Sequence, residues 1–366
     1  MRAPAAAGPR GLNRFRDRLP VSGPLITLGE GDTPLVALPR LGAEIGLPRL
    51  LAKLENVNPT GSYKDRIAAV SLTLARERHL RGWIATSSGN AGMALAAYGA
   101  RAGLPGVLFT VPTMPREKLL PLLALGVRLH GVEGLGFGAA RAAEQALFAA
   151  VSACAERYGL FLGVTAHKFN PDGMRGADTL AYELHAQAPD VRAVYVPSGG
   201  GGLAAAIGRG LSDAGAKAGL VVCQPAGCAP IVSFLSGACD TPVVDRCDTM
   251  ISGLQLPSPP DGLLAAEWVR KSGGWGTAVD DSAAAEARFM LAQSEGVFVE
   301  PASAVALAAV IRDRREGRLA AGDEVVLVLT GSGLKELKSV EDALPAPTVI
   351  APDAVEAQVA EVFGRA

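Results

Sequence analysis

The segment that decides the fold is Asn58-Pro59-Thr60-Gly61-Ser62-Tyr63-Lys64-Asp65-Arg66, which joins a sharp turn to a long helix with apolar periodicity. Pro59 fixes its own φ, Gly61 permits a tight bend, and Ser62 is placed to cap the helix. The turn therefore aims the amine of Lys64 in one direction, as a lysine that forms a Schiff base must be held. Taken alone, Lys64 has a second interpretation as a solvated surface charge.

A second segment predicts a buried strand, a glycine run and then a helix. It extends from Val194 to Ile207 and contains Gly199-Gly200-Gly201-Gly202-Leu203. Consecutive glycines let backbone N–H groups converge on one anion, and the helix start adds unpaired N–H groups and the positive end of its dipole. The segment therefore predicts a phosphate-binding loop. A glycine run alone is also typical of a flexible linker, but its position between a strand and an alanine-rich helix disfavours that interpretation.

Two further strand ends carry hydroxyl groups and glycines. One is Thr330-Gly331-Ser332-Gly333, which follows the apolar run from Val325 to Leu329. Ligands bind at such carboxyl ends of strands in open parallel sheets. The other is Thr86-Ser87-Ser88-Gly89-Asn90-Ala91-Gly92, a predicted strand-to-helix corner whose backbone N–H groups are placed to hold a carboxylate.

Taken in their order along the chain, the four segments resemble the fold-type II enzymes that use pyridoxal 5′-phosphate (PLP), and most of all the threonine synthases. The segment from Gly29 to Leu35 resembles that family's opening motif, and the segment from Thr330 to Lys335 its Thr-Gly-x-Gly-Leu-Lys strand end. The segment from Glu295 to Ala304 resembles its Glu-Pro-Ala-Ser-Ala motif. The resemblance covers roughly residues 25 to 340, and the joint occurrence of these motifs is specific.

The resemblance implies a role for each motif. Lys64 would form the Schiff base with PLP and later move the Cα proton, Asn90 would hydrogen-bond the ring hydroxyl, and Thr330 would face the pyridine nitrogen. A neutral hydroxyl does not hold a proton on that nitrogen as a carboxylate would, which favours elimination and replacement over racemisation and transamination. Two groups complete the implied site: the phosphate loop (Gly199, Gly200, Gly201, Gly202 and Leu203) and the contacts with the substrate carboxylate (Ser87, Ser88 and Gly89).

The chain departs from the threonine synthase pattern where that family holds the phosphate of its substrate. Ala91 replaces a threonine, His167 and Lys168 replace an Asn-Ser pair, and the glycine tetrad is more similar to the loop of threonine and serine dehydratases. His167, Lys168 and Arg175 either supply replacement positive charge to the substrate or are surface residues.

Two reactions are therefore consistent with the sequence. The first is that of a threonine synthase-like enzyme, which converts O-phosphohomoserine to threonine by γ-elimination and addition of water at Cβ. The alternative is a serine or threonine dehydratase-like ammonia-lyase, or a β-replacement enzyme, acting through an aminoacrylate. A catalytically silent homologue is disfavoured because Lys64, Asn90 and Thr330 are all present.

Three charged residues near these motifs are predicted to have structural roles. Asp65 and Arg66 are expected to form a local ion pair at the helix start. Glu300 is expected to cap the helix from Ala302 to Asp313, although the resemblance places this turn near the pyridine side of the cofactor.

The alternation of strands and helices predicts an α/β fold with two doubly wound parallel-sheet domains and the cofactor in the cleft between them. The large domain is expected to comprise residues 21–85 and 165–350, and a small mobile domain residues 86–164. Residues 1–20 are predicted to be a flexible N-terminus, and residues 351–366 a tail or short helix.

Composition limits the classes of function. The chain has 366 residues, a net charge of −1 and no charge-free apolar run of 18 residues, so neither a nucleic acid nor a membrane is an expected partner. We expect a cytoplasmic enzyme with a small amino-acid substrate, and the resemblance implies a homodimer. None of the five cysteines forms a C-x-x-C pair, so neither a metal site nor a disulfide framework is expected.

Overall fold

Strands alternate with helices along most of the chain in the computed structural model, which describes residues 8–87, 89–135, 141–341 and 343–364. The residues up to Lys335 form one compact unit and those from Glu336 form a second. The strands are β1 (Leu35–Ala37), β2 (Leu50–Leu54), β3 (Trp83–Thr86), β4 (Gly106–Thr110), β5 (Arg128–Gly131), β6 (Phe161–Leu162), β7 (Ala193–Pro197), β8 (Gly219–Pro225), β9 (Trp275–Val279) and β10 (Val325–Leu329).

The helices of the first unit are α1 (Pro39–Glu44), α2 (Lys64–Glu77), α3 (Asn90–Ala102), α4 (Arg116–Ala124), α5 (Arg141–Tyr158), α6 (Pro171–Gln187), α7 (Gly202–Asp213), α8 (Pro230–Leu235), α9 (Gly262–Lys271), α10 (Asp281–Glu295) and α11 (Pro301–Arg315). The second unit contains α12 (Lys338–Glu341) and α13 (Val355–Phe363). Short 3-10 helices span Gly11–Arg18, Glu55–Val57, Ala226–Cys228, Ser252–Leu254, Gly333–Lys335 and Pro352–Ala354. None of the helices in the described part of the chain is long and apolar enough to cross a membrane.

The larger sheet has six strands in the order β1-β2-β10-β7-β8-β9. Its strands run parallel except for β1, which pairs antiparallel with β2. Residues of β10 alternate between two hydrophobic cores: Leu327 packs on the face covered by α10 and α11, and Val328 on the face covered by α6, α7 and α9. Because both faces are buried, this strand reads as a continuous apolar run in the sequence.

The smaller sheet has four parallel strands in the order β5-β4-β3-β6. Its β3 begins at Trp83, so the boundary predicted after residue 85 falls inside this strand. Helix α2 packs against both structural layers, since Ile67 belongs to a core of the larger sheet and Leu72 to the core of the smaller sheet. The helix that begins at Lys64 therefore lies between the two sheets.

Two features differ from the sequence-based expectations. Residues 11–18, predicted to be flexible, form a 3-10 helix in which Leu12 is buried and the N–H of Gly11 donates to Asp32 Oδ2 at 2.5 Å. Cys228 and Cys247 form a disulfide with Cα atoms 4.6 Å apart, although no disulfide was expected. The chain folds back after α8, and a backbone hydrogen bond from Asp248 to Gly227 brings the two cysteines together.

Candidate active site

Lys64 is the first residue of α2, and its amine is held by one hydrogen bond. Gly61 has φ of +75°, which supports the predicted tight bend. The Nζ atom of Lys64 donates to Thr165 Oγ1 at 2.7 Å. The predicted cap by Ser62 is wrong, because Tyr63 is the N-cap residue and makes no side-chain cap bond. The Ser62 hydroxyl is instead buried and has no partner among the described residues.

The end of β10 is joined to this turn by backbone hydrogen bonds. The N–H of Tyr63 donates to the carbonyl of Thr330 at 3.1 Å, and the N–H of Ser332 donates to the carbonyl of Gly61 at 2.9 Å. The hydroxyl of Thr330 lies 2.8 Å from the hydroxyl of Ser303, a residue of the Glu-Pro-Ala-Ser-Ala motif for which no role is predicted from the sequence. The structure therefore brings Thr330 and the lysine turn together, as expected from the resemblance.

The predicted phosphate loop, Gly199 to Leu203, which we call the glycine loop, connects β7 with the first turn of α7. None of the described residues accepts a backbone hydrogen bond from the N–H groups of Gly199, Gly200 or Gly201. Gly201 has φ of +82°, a region that disfavours residues with a side chain. A Cβ atom on Gly202 would lie 3.4 Å from the carbonyl oxygen of Thr165, the residue that accepts from Lys64. Lys64 and the glycine loop therefore meet at Thr165.

Asp261 joins the glycine loop to the segment that contains His167 and Lys168. Its N–H donates to the carbonyl of Gly200 at 3.0 Å, and its carboxylate accepts from the N–H groups of His167 at 2.7 Å and Lys168 at 3.1 Å. The backbone N–H groups of His167 and Lys168 thus hold Asp261 behind the loop, in addition to any role of their side chains.

The three side chains considered for a substrate phosphate each have a contact within the protein. His167 is buried, with Nε2 lying 3.2 Å from the carbonyl of Gly202, and burial together with Arg209 lowers its pKa. The ammonium of Lys168 lies 5.3 Å from the centre of the Phe169 ring. Arg175 pairs with two aspartates, Asp178 at 3.1 Å and Asp213 at 3.7 Å.

Asn90 is the first residue of α3 and joins the two sheets through its amide. Its Nδ2 atom donates to the two carboxylate oxygens of Glu300 at 2.9 and 3.1 Å, and its Oδ1 accepts from the ammonium of Lys335. Lys335 also donates to the carbonyl of Thr60 at 3.0 Å. Glu300 is the N-cap residue of α11, as predicted, but its side chain makes no hydrogen bond that caps the helix.

The corner before α3 is closed by Ser87. Its hydroxyl accepts from the N–H of Gly89 at 3.2 Å and from the N–H of Gly92 at 3.1 Å. Ser88 lies outside the described residues. The two backbone donors at this corner therefore already have an acceptor within the chain.

A buried ionic cluster lies beside the first turn of α2. The predicted Asp65–Arg66 pair is wrong, because Arg66 pairs with Glu55 at 2.8 Å and with Glu183 at 2.6 Å, and Asp65 accepts from Thr60. Burial raises the pKa of Asp65 to about 6. Burial alone would raise the pKa of Glu183, but Arg66 and Lys53 outweigh it and lower that pKa to about 2. We call the four fully buried side chains of Lys53, Glu55, Arg66 and Glu183 the ionic cluster.

These features fit PLP. The site offers an oriented amine at Lys64 and a neutral hydroxyl at Thr330. It also offers an anionic phosphate the backbone donors of the loop, which have no acceptor in the described parts of the chain. The buried Ser62 hydroxyl without a partner marks a further point where a polar ligand atom would be satisfied.

Comparison with known proteins agrees with this geometry. Residues 26–331 match the family model described as pyridoxal-phosphate dependent enzyme. The threonine synthase of Halalkalibacterium halodurans is 32% identical over 96% of this chain and 97% of its own length. That of Methanosarcina acetivorans is 31% identical over 96% of this chain and 87% of its own length.

Solved structures share the fold at lower sequence identity. Maize serine racemase superposes with a TM-score of 0.73 at 22% identity, covering 85% of this chain and 91% of its own. Threonine deaminase isoform 2 of Solanum lycopersicum superposes with a TM-score of 0.70 at 20% identity, covering 91% of this chain and 83% of its own. The chain therefore belongs to the family of pyridoxal-phosphate dependent enzymes, and threonine synthases are among its relatives.

Proposed function

We propose that this enzyme converts O-phosphohomoserine and water to threonine and phosphate. The observation that carries the proposal is the Lys64 amine, held 2.7 Å from Thr165 Oγ1 beside a loop in which the N–H groups of Gly199, Gly200 and Gly201 have no acceptor among the described residues. The similarity to threonine synthases over nearly the full chain supports this choice of substrate.

The site residues divide the work as follows. When bound, PLP supplies an aldehyde that joins covalently to an amine and a conjugated ring that withdraws electrons from Cα. Lys64 holds the cofactor through Nζ and then carries a proton between substrate carbons, while Thr165 orients Nζ through its hydroxyl. The loop from Gly199 to Leu203 would hold the phosphate of the cofactor, and Asn90 would contact its ring hydroxyl. The hydroxyl of Thr330 would contact the pyridine nitrogen without charging it, which would favour release of the leaving group.

Two separate sheets support a division into two domains. In this proposal residues 21–85 and 165–350 form the large domain and residues 86–164 the small one, and β3, which belongs to the smaller sheet, crosses the boundary. Ser87, Ser88 and Gly89 bind the substrate carboxylate, and the small domain then closes and excludes water. Equal positions of the two domains with and without a slow substrate analogue would contradict this closure.

A second reaction is favoured by one observation. His167, Lys168 and Arg175, the candidates for a phosphate-bearing substrate, contact groups of the protein instead. Contacts of this kind leave these side chains fewer donors for a substrate phosphate, which supports a substrate without one. The alternative is therefore an ammonia-lyase acting on serine or threonine, or a β-replacement enzyme.

A product assay separates the two reactions. The holoenzyme would be incubated in parallel with O-phosphohomoserine, L-serine, L-threonine and O-phosphoserine, with the Lys64→Ala variant as control. Threonine and phosphate formed from O-phosphohomoserine in equal amounts support the main proposal. Pyruvate from serine or 2-oxobutyrate from threonine, with no threonine from O-phosphohomoserine, supports the alternative.

We propose in addition that the enzyme is a cytoplasmic homodimer. The support is the resemblance to the family, together with the absence of a membrane-spanning helix from the described residues. Light scattering on the eluting holoenzyme tests the assembly, and a mass near the 37.5 kDa of one chain would contradict it.

A further inference from the structure

The amide of Asn90 lies between two oppositely charged side chains. Glu300 accepts from its Nδ2 atom at 2.9 and 3.1 Å, and the ammonium of Lys335 donates to its Oδ1 atom. We call these three residues the amide clamp. Lys335 is itself anchored, because Nζ also donates to the carbonyl of Thr60 at 3.0 Å.

The clamp permits one orientation of the amide. An ammonium can only donate hydrogen bonds and a carboxylate can only accept them, so a flipped amide would lose both contacts. Both contacts are charge-assisted and are therefore stronger than those between neutral groups. The amide oxygen must face Lys335 and the amide nitrogen must face Glu300.

The clamp also joins separate parts of the fold. Asn90 begins α3, whose residues pack in the core of the smaller sheet. Glu300 precedes α11, and Lys335 lies a few residues beyond the end of β10 in the larger sheet. Lys335 and Glu300 thus come from segments that flank elements of the larger sheet, and Asn90 comes from a helix that packs on the smaller sheet.

We propose that Lys335 and Glu300 are positioning residues that fix the Asn90 amide so that an N–H of Nδ2 is presented to the ring hydroxyl of PLP. This inference rests on the proposed contact between Asn90 and the cofactor. Nδ2 carries two hydrogens, and among the described residues only Glu300 accepts from it, so one hydrogen can be directed to the cofactor. A fixed donor stabilises the ring oxygen in its deprotonated form and spares the cofactor the cost of ordering the amide on binding.

A double-mutant cycle on cofactor affinity tests the proposal. The Kd of PLP would be measured for wild type, Lys335→Met, Asn90→Ala and the double variant, and the absorption maximum of the bound cofactor recorded for each. We expect Lys335→Met to weaken binding about tenfold, equivalent to about 1.4 kcal/mol. In the Asn90→Ala background the same change should cost less than about threefold, since a residue that acts through the amide has no effect once the amide is gone.

Two further variants serve as controls. Lys271→Met removes an exposed lysine that pairs with Glu267 on α9, and we expect it to leave the affinity unchanged. Glu300→Gln keeps an acceptor oxygen for Nδ2, so its affinity should stay within about threefold of the wild-type value if orientation is what matters. Thermal unfolding of each variant reports whether the fold is intact.

Equal losses from Lys335→Met in both backgrounds would overturn this inference alone, since Lys335 would then act independently of Asn90. A tenfold loss in Glu300→Gln would overturn it as well, because charge would then outweigh orientation. Trapping of PLP on Lys64 with borohydride distinguishes these results from a failure of the proposed function. Wild-type protein that carries no adduct at Lys64 would overturn both.

Discussion

Arg66→Met, a substitution within the ionic cluster, should strongly lower the free energy of unfolding. Arg66 donates to Glu55 through Nε and Nη2 at 2.8 Å, and to Glu183 through Nη1 at 2.6 Å and Nη2 at 2.8 Å. It also donates to Thr179 at 2.9 Å. Its guanidinium is thus held by bidentate contacts with two buried carboxylates.

Removing this cation leaves one of the two carboxylates without compensation. In wild type the charges of Arg66 and Lys53 balance those of Glu55 and Glu183, and the variant leaves a net charge of −1 among side chains that have no exposed surface. Breaking a buried pair in this way costs about 3–5 kcal/mol. A typical domain is stable by only about 5–15 kcal/mol, so the free energy of unfolding should fall by a large fraction.

Urea unfolding followed by circular dichroism measures this loss. The matched control is Arg78→Met, since Arg78 directly follows the same helix but pairs with Asp172 at the surface, where the two side chains are 51% and 46% exposed. That exposed pair should contribute about 0.2–1 kcal/mol. Equal losses in the two variants would refute the argument, as would a loss below about 1 kcal/mol for Arg66→Met.

Three other predictions follow from individual contacts. The folded pKa of Glu183, about 2, lies below the usual 4.5, so its contribution is fully present above pH 4.5 and is lost as the pH falls towards 2. By linkage, this shift contributes about 3 kcal/mol to the free energy of unfolding. Glu183→Gln should therefore make the urea midpoint less dependent on pH between 4.5 and 2. The same pH dependence in wild type and variant would contradict this prediction. Reduction of the Cys228–Cys247 disulfide should lower the free energy of unfolding by about 3 kcal/mol, because the bond closes a loop in the unfolded chain. The reductant should have no effect on Cys228→Ser. A wild-type urea midpoint that does not change with the reductant would count against the disulfide. Thr330→Asp should raise protonation of the pyridine nitrogen and increase transamination, detected as pyridoxamine 5′-phosphate, whereas an unchanged product distribution would argue against the proposed contact.

The sequence predicted those parts of the molecule that local patterns encode. The α/β fold, PLP as cofactor and membership of a PLP-dependent enzyme family are confirmed. The apolar run at β10 and the glycine run before α7 were recognisable because each places its function within a few consecutive residues. The assignment of individual residues to cofactor and substrate stays a prediction.

Contacts between distant segments escaped the sequence analysis. Thr165 stands in no motif, yet it lies beside Lys64 because the chain after β6 returns to the lysine turn. Lys335 belongs to the motif that ends β10, but nothing in the local sequence shows that its side chain reaches Asn90. The partner of Arg66 was misassigned to its neighbour Asp65, because charge proximity along the chain says little about partners in a buried cluster.

The disulfide was missed for the same physical reason. A C-x-x-C spacing reveals only cysteines that a short turn holds together. Cys228 and Cys247 are separated by 19 residues and meet because the chain folds back between them.

The most direct test of the account is the identity of the amine that carries the cofactor. Holoenzyme reduced with borohydride and digested for mass spectrometry should carry the pyridoxyl group on the peptide that contains Lys64. Lys335, whose ammonium donates to Asn90, should remain unmodified. An adduct on Lys335, on any other lysine, or on none would contradict the central claim.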